Sequence, residues 1–156
     1  MLSLSFYQSQ YQSALRYHLD DEQSKFTTLP SKWLNDDLAD KDLVYKIVIL
    51  LGNLPIGFFV LDGGKDRCAY TNNQCALLLR SMSINPSFQG QGLAKSALLL
   101  LSKFITDNHI LCDQIVLGVN HKNIPAQSLY QKVGFIDTGR TLMGIKGVQH
   151  IYELNI

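Results

Sequence analysis

Cysteine is scarce, with only Cys68, Cys75 and Cys112 in the chain. Their number is odd and none has CxxC or Cys/His ligand spacing, which argues against a disulfide framework and against a zinc site. Free thiols in a reducing cytoplasm are the simpler reading. Long hydrophobic runs are also missing. The longest, residues 47–51 and 97–101, fall far short of the ~20 residues needed to cross a bilayer. The first seven residues have no basic start leading into an apolar stretch, so no secretory signal is expected. Charge of one sign is lacking too: 14 Lys and Arg against 13 Asp and Glu leave a net charge of +1. With these charges scattered, neither a nucleic acid nor an anionic membrane is an expected partner. A small polyanion stays open, because backbone N–H groups at a helix start bind phosphate without a basic patch.

What remains is a chain of 156 residues, 46% of them apolar and 17% charged, which excludes a disordered protein by composition. One domain of this length buries roughly two thirds of its unfolded surface. With no internal repeat and no linker, residues 1–156 are expected to form a single α/β domain.

The pattern of elements supports that expectation. Leu2, Leu4 and Phe6 alternate with serines, as in a half-buried strand. Tyr11, Ala14, Leu15 and Leu19 fall near helical spacing, and Ser31 stands before a short second helix. Residues 43–51 and 55–61, joined at Gly52-Asn53, read as a hairpin in which Phe58 and Phe59 face opposite ways. A strand over residues 75–84 stops at Asn85-Pro86. Leu93, Ala94, Ala97, Leu98, Leu101 and Ile105 then define one amphipathic helix. A strand over 114–119, a short helix over 126–132 closed by Gly134, and two strands flanking residues 144–147 complete the chain.

The chemistry concentrates in the strand, turn and helix over residues 82–94. Gly90 and Gly92 let the backbone turn tightly and approach a ligand, and the following helix offers unpaired N–H groups to an anion. Glycine spacing alone is equally compatible with an ordinary strand-to-helix turn. A P-loop needs GxxxxGK followed by Ser or Thr, whereas residues 90–95 are too short and place Ala94 before Lys95. A dinucleotide fingerprint needs GxGxxG, and here Lys95 stands at the last position.

Gln89-x-x-Gly92-x-Ala94 resembles the Q/R-x-x-G-x-G/A signature of the GNAT N-acetyltransferase superfamily. Downstream, Asn123-x-x-Ala126-x-x-Leu129-Tyr130-x-Lys132-x-Gly134-Phe135 is similar to the second block of the same family. The resemblance covers residues 75–135 well. It implies the acyl-CoA N-acyltransferase fold, a mixed, mostly antiparallel central sheet with helices on both faces, splayed so that the pantetheine arm of acetyl-CoA enters between two strands. It further implies that Gln89, Gly90, Gln91, Gly92, Leu93, Ala94 and Lys95 hold the cofactor's pyrophosphate, and that Met82, Ser83 and Ile84 present main-chain groups to the pantetheine. Asn123 would contact the same arm, and Tyr130 would be both a cofactor contact and the general acid to the departing CoA thiolate. The reaction implied is direct, metal-free acetyl transfer from acetyl-CoA to a primary amine through a tetrahedral intermediate.

Physical chemistry permits these roles and leaves alternatives beside them. A strand edge pairs with the amides of pantetheine as it would with another strand, and a backbone N–H can stabilise the oxyanion formed on attack. Tyr130 can equally be a core tyrosine, and Asn123 an N-cap before Ile124-Pro125. Relatives often carry a glutamate where Leu78 stands, and residues 75–79 contain no acid. Glu22, acting through a water, is the candidate base; a solvated helix face is its other reading, as it is for Asp20 and Asp21. Arg80 either binds a substrate carboxylate or pairs with a neighbouring acid. His18, His109, His121 and His150 show no ligand spacing. The acceptor is expected to be a small molecule or peptide, and the location cytoplasmic. The sequence leaves the oligomeric state open, a homodimer included. A non-catalytic acyl-CoA-binding or sensor domain is the rival reading.

Overall fold

The computed structural model describes residues 1–34 and 43–156. One seven-stranded sheet runs through it, built from β1 (Leu2–Phe6), β2 (Val44–Leu51), β3 (Leu54–Asp62), β4 (Ala76–Ile84), β5 (Gln114–Asn120), β6 (Ile136–Gly144) and β7 (Gly147–Asn155). The spatial order is β1-β2-β3-β4-β5-β7-β6, and every neighbouring pair is antiparallel except β4 and β5. A parallel pair needs a crossover, and here it is made by two helices, α3 (Leu93–Leu99) and α4 (Leu101–Asp107). The remaining helices are α1 (Asp21–Ser24), α2 (Ser31–Leu34) and α5 (Ile124–Lys132).

Alternation along the central strands sorts side chains onto two faces. Phe59, Leu61, Leu77, Leu79, Ile115 and Leu117 join the main core, which is closed by Ala97, Leu98, Leu101 and Ile105 of the crossover helices. Phe58 does face the other way, in a second cluster with Leu15, Val48, Leu50 and Val60 against which Tyr17 and Trp33 pack. A third cluster, Ala76, Leu78, Val116 and Ile151, lies under Tyr70 and Leu142. The second face is thus covered in two separate patches.

Two expectations need correcting. The helix expected over residues 93–105 is divided at Leu100, whose N–H bonds to Ala97 O at 3.0 Å, a tightened turn, before the next helix begins. The helical spacing of Tyr11 to Leu19 produces only a 3₁₀ turn at Ser9–Tyr11 and further turns. Only Leu15 of that stretch is buried, so there is no continuous apolar stripe to hold a helix down.

Candidate functional site

The site begins with the way β4 leaves β5. Ala76, Leu77 and Leu78 pair with Gln114, Ile115 and Val116, yet β4 runs on to Ile84 and β5 to Asn120. On its other side, the β3 and β4 register slips between Phe58 paired with Ser83 and Val60 paired with Arg80, so one extra residue sits on β4. Ser81 lies in this bulge with φ 58°, a left-handed conformation uncommon for a residue with a Cβ. The Trp33 indole N–H donates to Ser81 Oγ at 2.9 Å and fixes the bulge from the α2 side.

A cleft of about 460 Å³ opens where the strands part. Met82, Ser83 and Ile84 of β4 line one side, and Leu117, Gly118, Val119 and Asn120 of β5 the other. A Cβ on Gly118 would come within 2.4 Å of Gln149 Oε1 and 2.7 Å of Tyr70 Cε1, so glycine here lets those side chains close over β5. The N-terminal segment supplies a third wall from Leu19, Asp20, Glu22, Gln23, Phe26 and Thr27. This wall bonds directly to β4: the Tyr17 hydroxyl lies 2.6 Å from Ser83 Oγ, and Thr27 Oγ1 donates to Met82 O at 3.2 Å. Burial raises the Tyr17 phenol to about 12, so it stays a neutral hydrogen-bonding group.

At the N-terminal end of α3, Gln89 and Ala94 line the cleft and the loop between them is largely exposed. Gly90 has φ 77° and Gly92 φ 74°, and a Cβ at either would meet nothing within 4 Å. Their requirement is therefore conformational, and it leaves open space over the loop. The Ser96 N–H bonds to Gly92 O at 3.1 Å, so the amides before it at the helix start have no intrahelical partner. Gln91, Gly92 and Lys95 face solvent. A pyrophosphate fits such a loop: main-chain donors are free, and no side chain fills the space above them.

The second block is brought to the same cleft. Asn123 lines it and caps α5, its Oδ1 accepting from the Ala126 N–H at 3.3 Å, so the N-cap reading holds. Tyr130 is buried, stacks edge-on against Phe135 with ring centroids 5.5 Å apart, and lines the cleft. Its hydroxyl makes no hydrogen bond to the described residues. Desolvation lifts this phenol to about 12.

The carboxylates are placed less simply. Glu22 is exposed, lines the cleft and forms no ion pair within the described residues. Leu78 is buried in the third cluster, and Asp62 stands across from it on β3. Asp62 is engaged already: its Oδ1 accepts from the Gly64 N–H at 2.7 Å and its Oδ2 from Arg80 at 3.2 Å. Arg80 also pairs with Asp66 at 3.0 Å and lies 5.3 Å from the Trp33 ring centroid. Of the two roles open to Arg80, ion pairing is the one its contacts support, although it lines the cleft.

Gln23, Thr27 and Ser81 line the cleft and Tyr17 bonds to its wall through Ser83, and none of the four carries a signal in the sequence. They are single polar residues in irregular segments or in a strand, and their contacts span 48 to 66 residues.

Residues 7–135 match the Acetyltransferase (GNAT) family. A Bacillus subtilis (strain 168) protein described as the uncharacterized N-acetyltransferase YbbJ is 43% identical over 152 residues, covering 96% of this chain and 94% of that one. Among solved structures, an aminoglycoside acetyltransferase bound to coenzyme A and kanamycin superposes with a TM-score of 0.68 at 17% identity, covering 99% of this chain and 95% of that one. An N-acetyltransferase from Staphylococcus aureus Mu50 does so with a TM-score of 0.69 at 18% identity, covering 99% and 98%. At such identities the structural likeness establishes the fold.

Proposed function

The chain belongs to the GNAT acetyltransferase family and is an acetyl-CoA-dependent N-acetyltransferase, and from that premise we propose that it acetylates a primary amine of a small molecule or peptide in the cleft between β4 and β5. The observation that carries this reading is convergence. Gln89 and Ala94 of the glycine loop, and Asn123 and Tyr130 of the second block, line one cleft although they are far apart in sequence. In this reading residues 1–156 act as a single catalytic domain.

Acetyl-CoA supplies the activated thioester; the chain supplies position and protons. The loop from Gln89 to Lys95 holds the pyrophosphate with main-chain N–H groups, helped by the positive end of α3. Met82, Ser83 and Ile84, freed from β5 by the splay, offer main-chain groups to the pantetheine arm. A backbone N–H near the bulge receives the negative charge that develops on the acetyl oxygen. Tyr130 donates its proton to the thiolate leaving group, a role suited to a hydroxyl held neutral by burial and without a hydrogen-bond partner among the described residues. Glu22, exposed on the acceptor wall, takes the amine proton through a water.

The test is to mix the protein with acetyl-CoA and a panel of amines while following free thiol. Amine-dependent thiol release above hydrolysis, with the acetylated amine recovered, is expected. Measurable CoA binding with no thiol release for any small or peptide amine would overturn catalysis at this site and favour an acyl-CoA sensor.

A further inference from the structure

The wall of the acceptor side is attached to the cofactor loop by one side-chain pair. Gln23 Nε2 donates to Gln89 Oε1 at 2.7 Å, and Gln89 Nε2 donates back to Gln23 Oε1 at 2.9 Å. The orientation of Gln89 is settled by a third bond, from its Nε2 to Ile84 O at 2.8 Å, because a flipped amide would set two acceptors against each other there. Gln89 opens the glycine loop, and Gln23 sits in α1.

The helix it joins has little else to hold it. α1 is four residues long and contains no buried residue, so no hydrophobic packing anchors it. Among the described residues, this wall is otherwise tied by the Tyr17 hydroxyl to Ser83 Oγ, by the Thr27 hydroxyl to Met82 O, and by Lys146 Nζ to Ser24 O at 2.9 Å and Thr27 O at 3.4 Å. A segment held by hydrogen bonds instead of apolar contacts opens at low free-energy cost, and its order follows that of its partners. Gln89 is the partner whose backbone leads directly into the loop.

We propose that Gln23 is a positioning residue that couples occupancy of the cofactor loop to ordering of the acceptor wall. The inference rests on the reading that the loop over residues 89–95 binds the CoA pyrophosphate. An anion clamped by that loop restrains the Gln89 backbone and side chain, the reciprocal amide pair passes the restraint to Gln23, and residues 20–27 become ordered together. Linkage makes the effect reciprocal, so an acceptor that orders the wall tightens the hold on CoA.

Hydrogen exchange with coenzyme A as the probe tests this in wild type and in Gln23→Ala, a change at a part-exposed position that leaves the core intact. In wild type, saturating coenzyme A should slow exchange both at residues 89–95 and at residues 20–27, the latter roughly fivefold or more. In Gln23→Ala the slowing at 89–95 should persist while that at 20–27 is lost. Gln23→Glu keeps the acceptor for Gln89 Nε2 and loses the donor to Gln89 Oε1, so it should retain part of the effect. Retained slowing at 20–27 in Gln23→Ala, or none there in wild type while 89–95 is protected, would overturn the coupling. No slowing at 89–95 in wild type would instead refute the cofactor assignment beneath it.

Discussion

Tyr130 shows how burial holds a side chain in the neutral form that its proposed role needs. Its ring is fixed by Phe135 and the main core, while its hydroxyl, at the edge of the cleft, has no hydrogen-bond partner among the described residues. Since the ring packs and the hydroxyl does not bond, Tyr130→Phe should fold normally and bind CoA with unchanged affinity. Its kcat should drop on the order of 10²-fold, the usual contribution of a positioned general acid. Steady-state kinetics beside calorimetric CoA binding would check this, and a wild-type kcat in the variant would remove Tyr130 from the chemistry. The place of this residue in the cleft was legible in sequence because it belongs to a block of neighbours at fixed spacing. Glu22 and Gln23 have no such block, and their place in the cleft depends on how an irregular segment folds back across β4.

At the scale of elements, the strand, glycine loop and helix over residues 82–94 form the most readable unit. Both glycines have positive φ, so replacing either strains the backbone whatever the new side chain. Gly92→Ala and Gly92→Asp share that strain, and only the second adds a negative charge at the proposed pyrophosphate position. CoA affinity should therefore fall modestly in Gly92→Ala and much further in Gly92→Asp, as measured by calorimetry on variants with matched melting behaviour. Equal affinities in the two would mean that no anion sits there. The bulge at Ser81 was not readable. No glycine marks it, and its left-handed backbone is held by Trp33, which reaches it only in the folded chain. The crossover helices kept their apolar spacing, while the break at Leu100 left that spacing in phase and so gave no sign in the sequence.

For the whole molecule, two phenols shifted by desolvation, Tyr17 and Tyr130, set an alkaline limit. Tyr17 and Tyr130 are each raised from 10.0 to about 12 by burial, so folding favours their neutral forms. Below pH 10 both states are protonated and this contribution is complete. Above it the unfolded chain ionises first, and stability falls by up to about 1.4 kcal/mol per pH unit for each phenol until the folded pKa is reached. Urea midpoints measured from pH 9 to 11 should fall steeply in wild type and less steeply in Tyr130→Phe. Identical slopes would contradict the burial of that phenol as a neutral group.

The sequence by itself determined the parts of this protein that local physics governs. Alternation set which strand residues enter which face, the apolar stripe set the crossover helices, and two short motifs carried the resemblance to the GNAT family that implied acetyl-CoA chemistry. Tertiary structure alone decided the splay of β4 from β5, the pairing of Arg80 with Asp62 and Asp66, and the placement of Gln23 against Gln89. Those features join segments tens of residues apart through single polar contacts, and such contacts leave no periodicity in the chain that makes them.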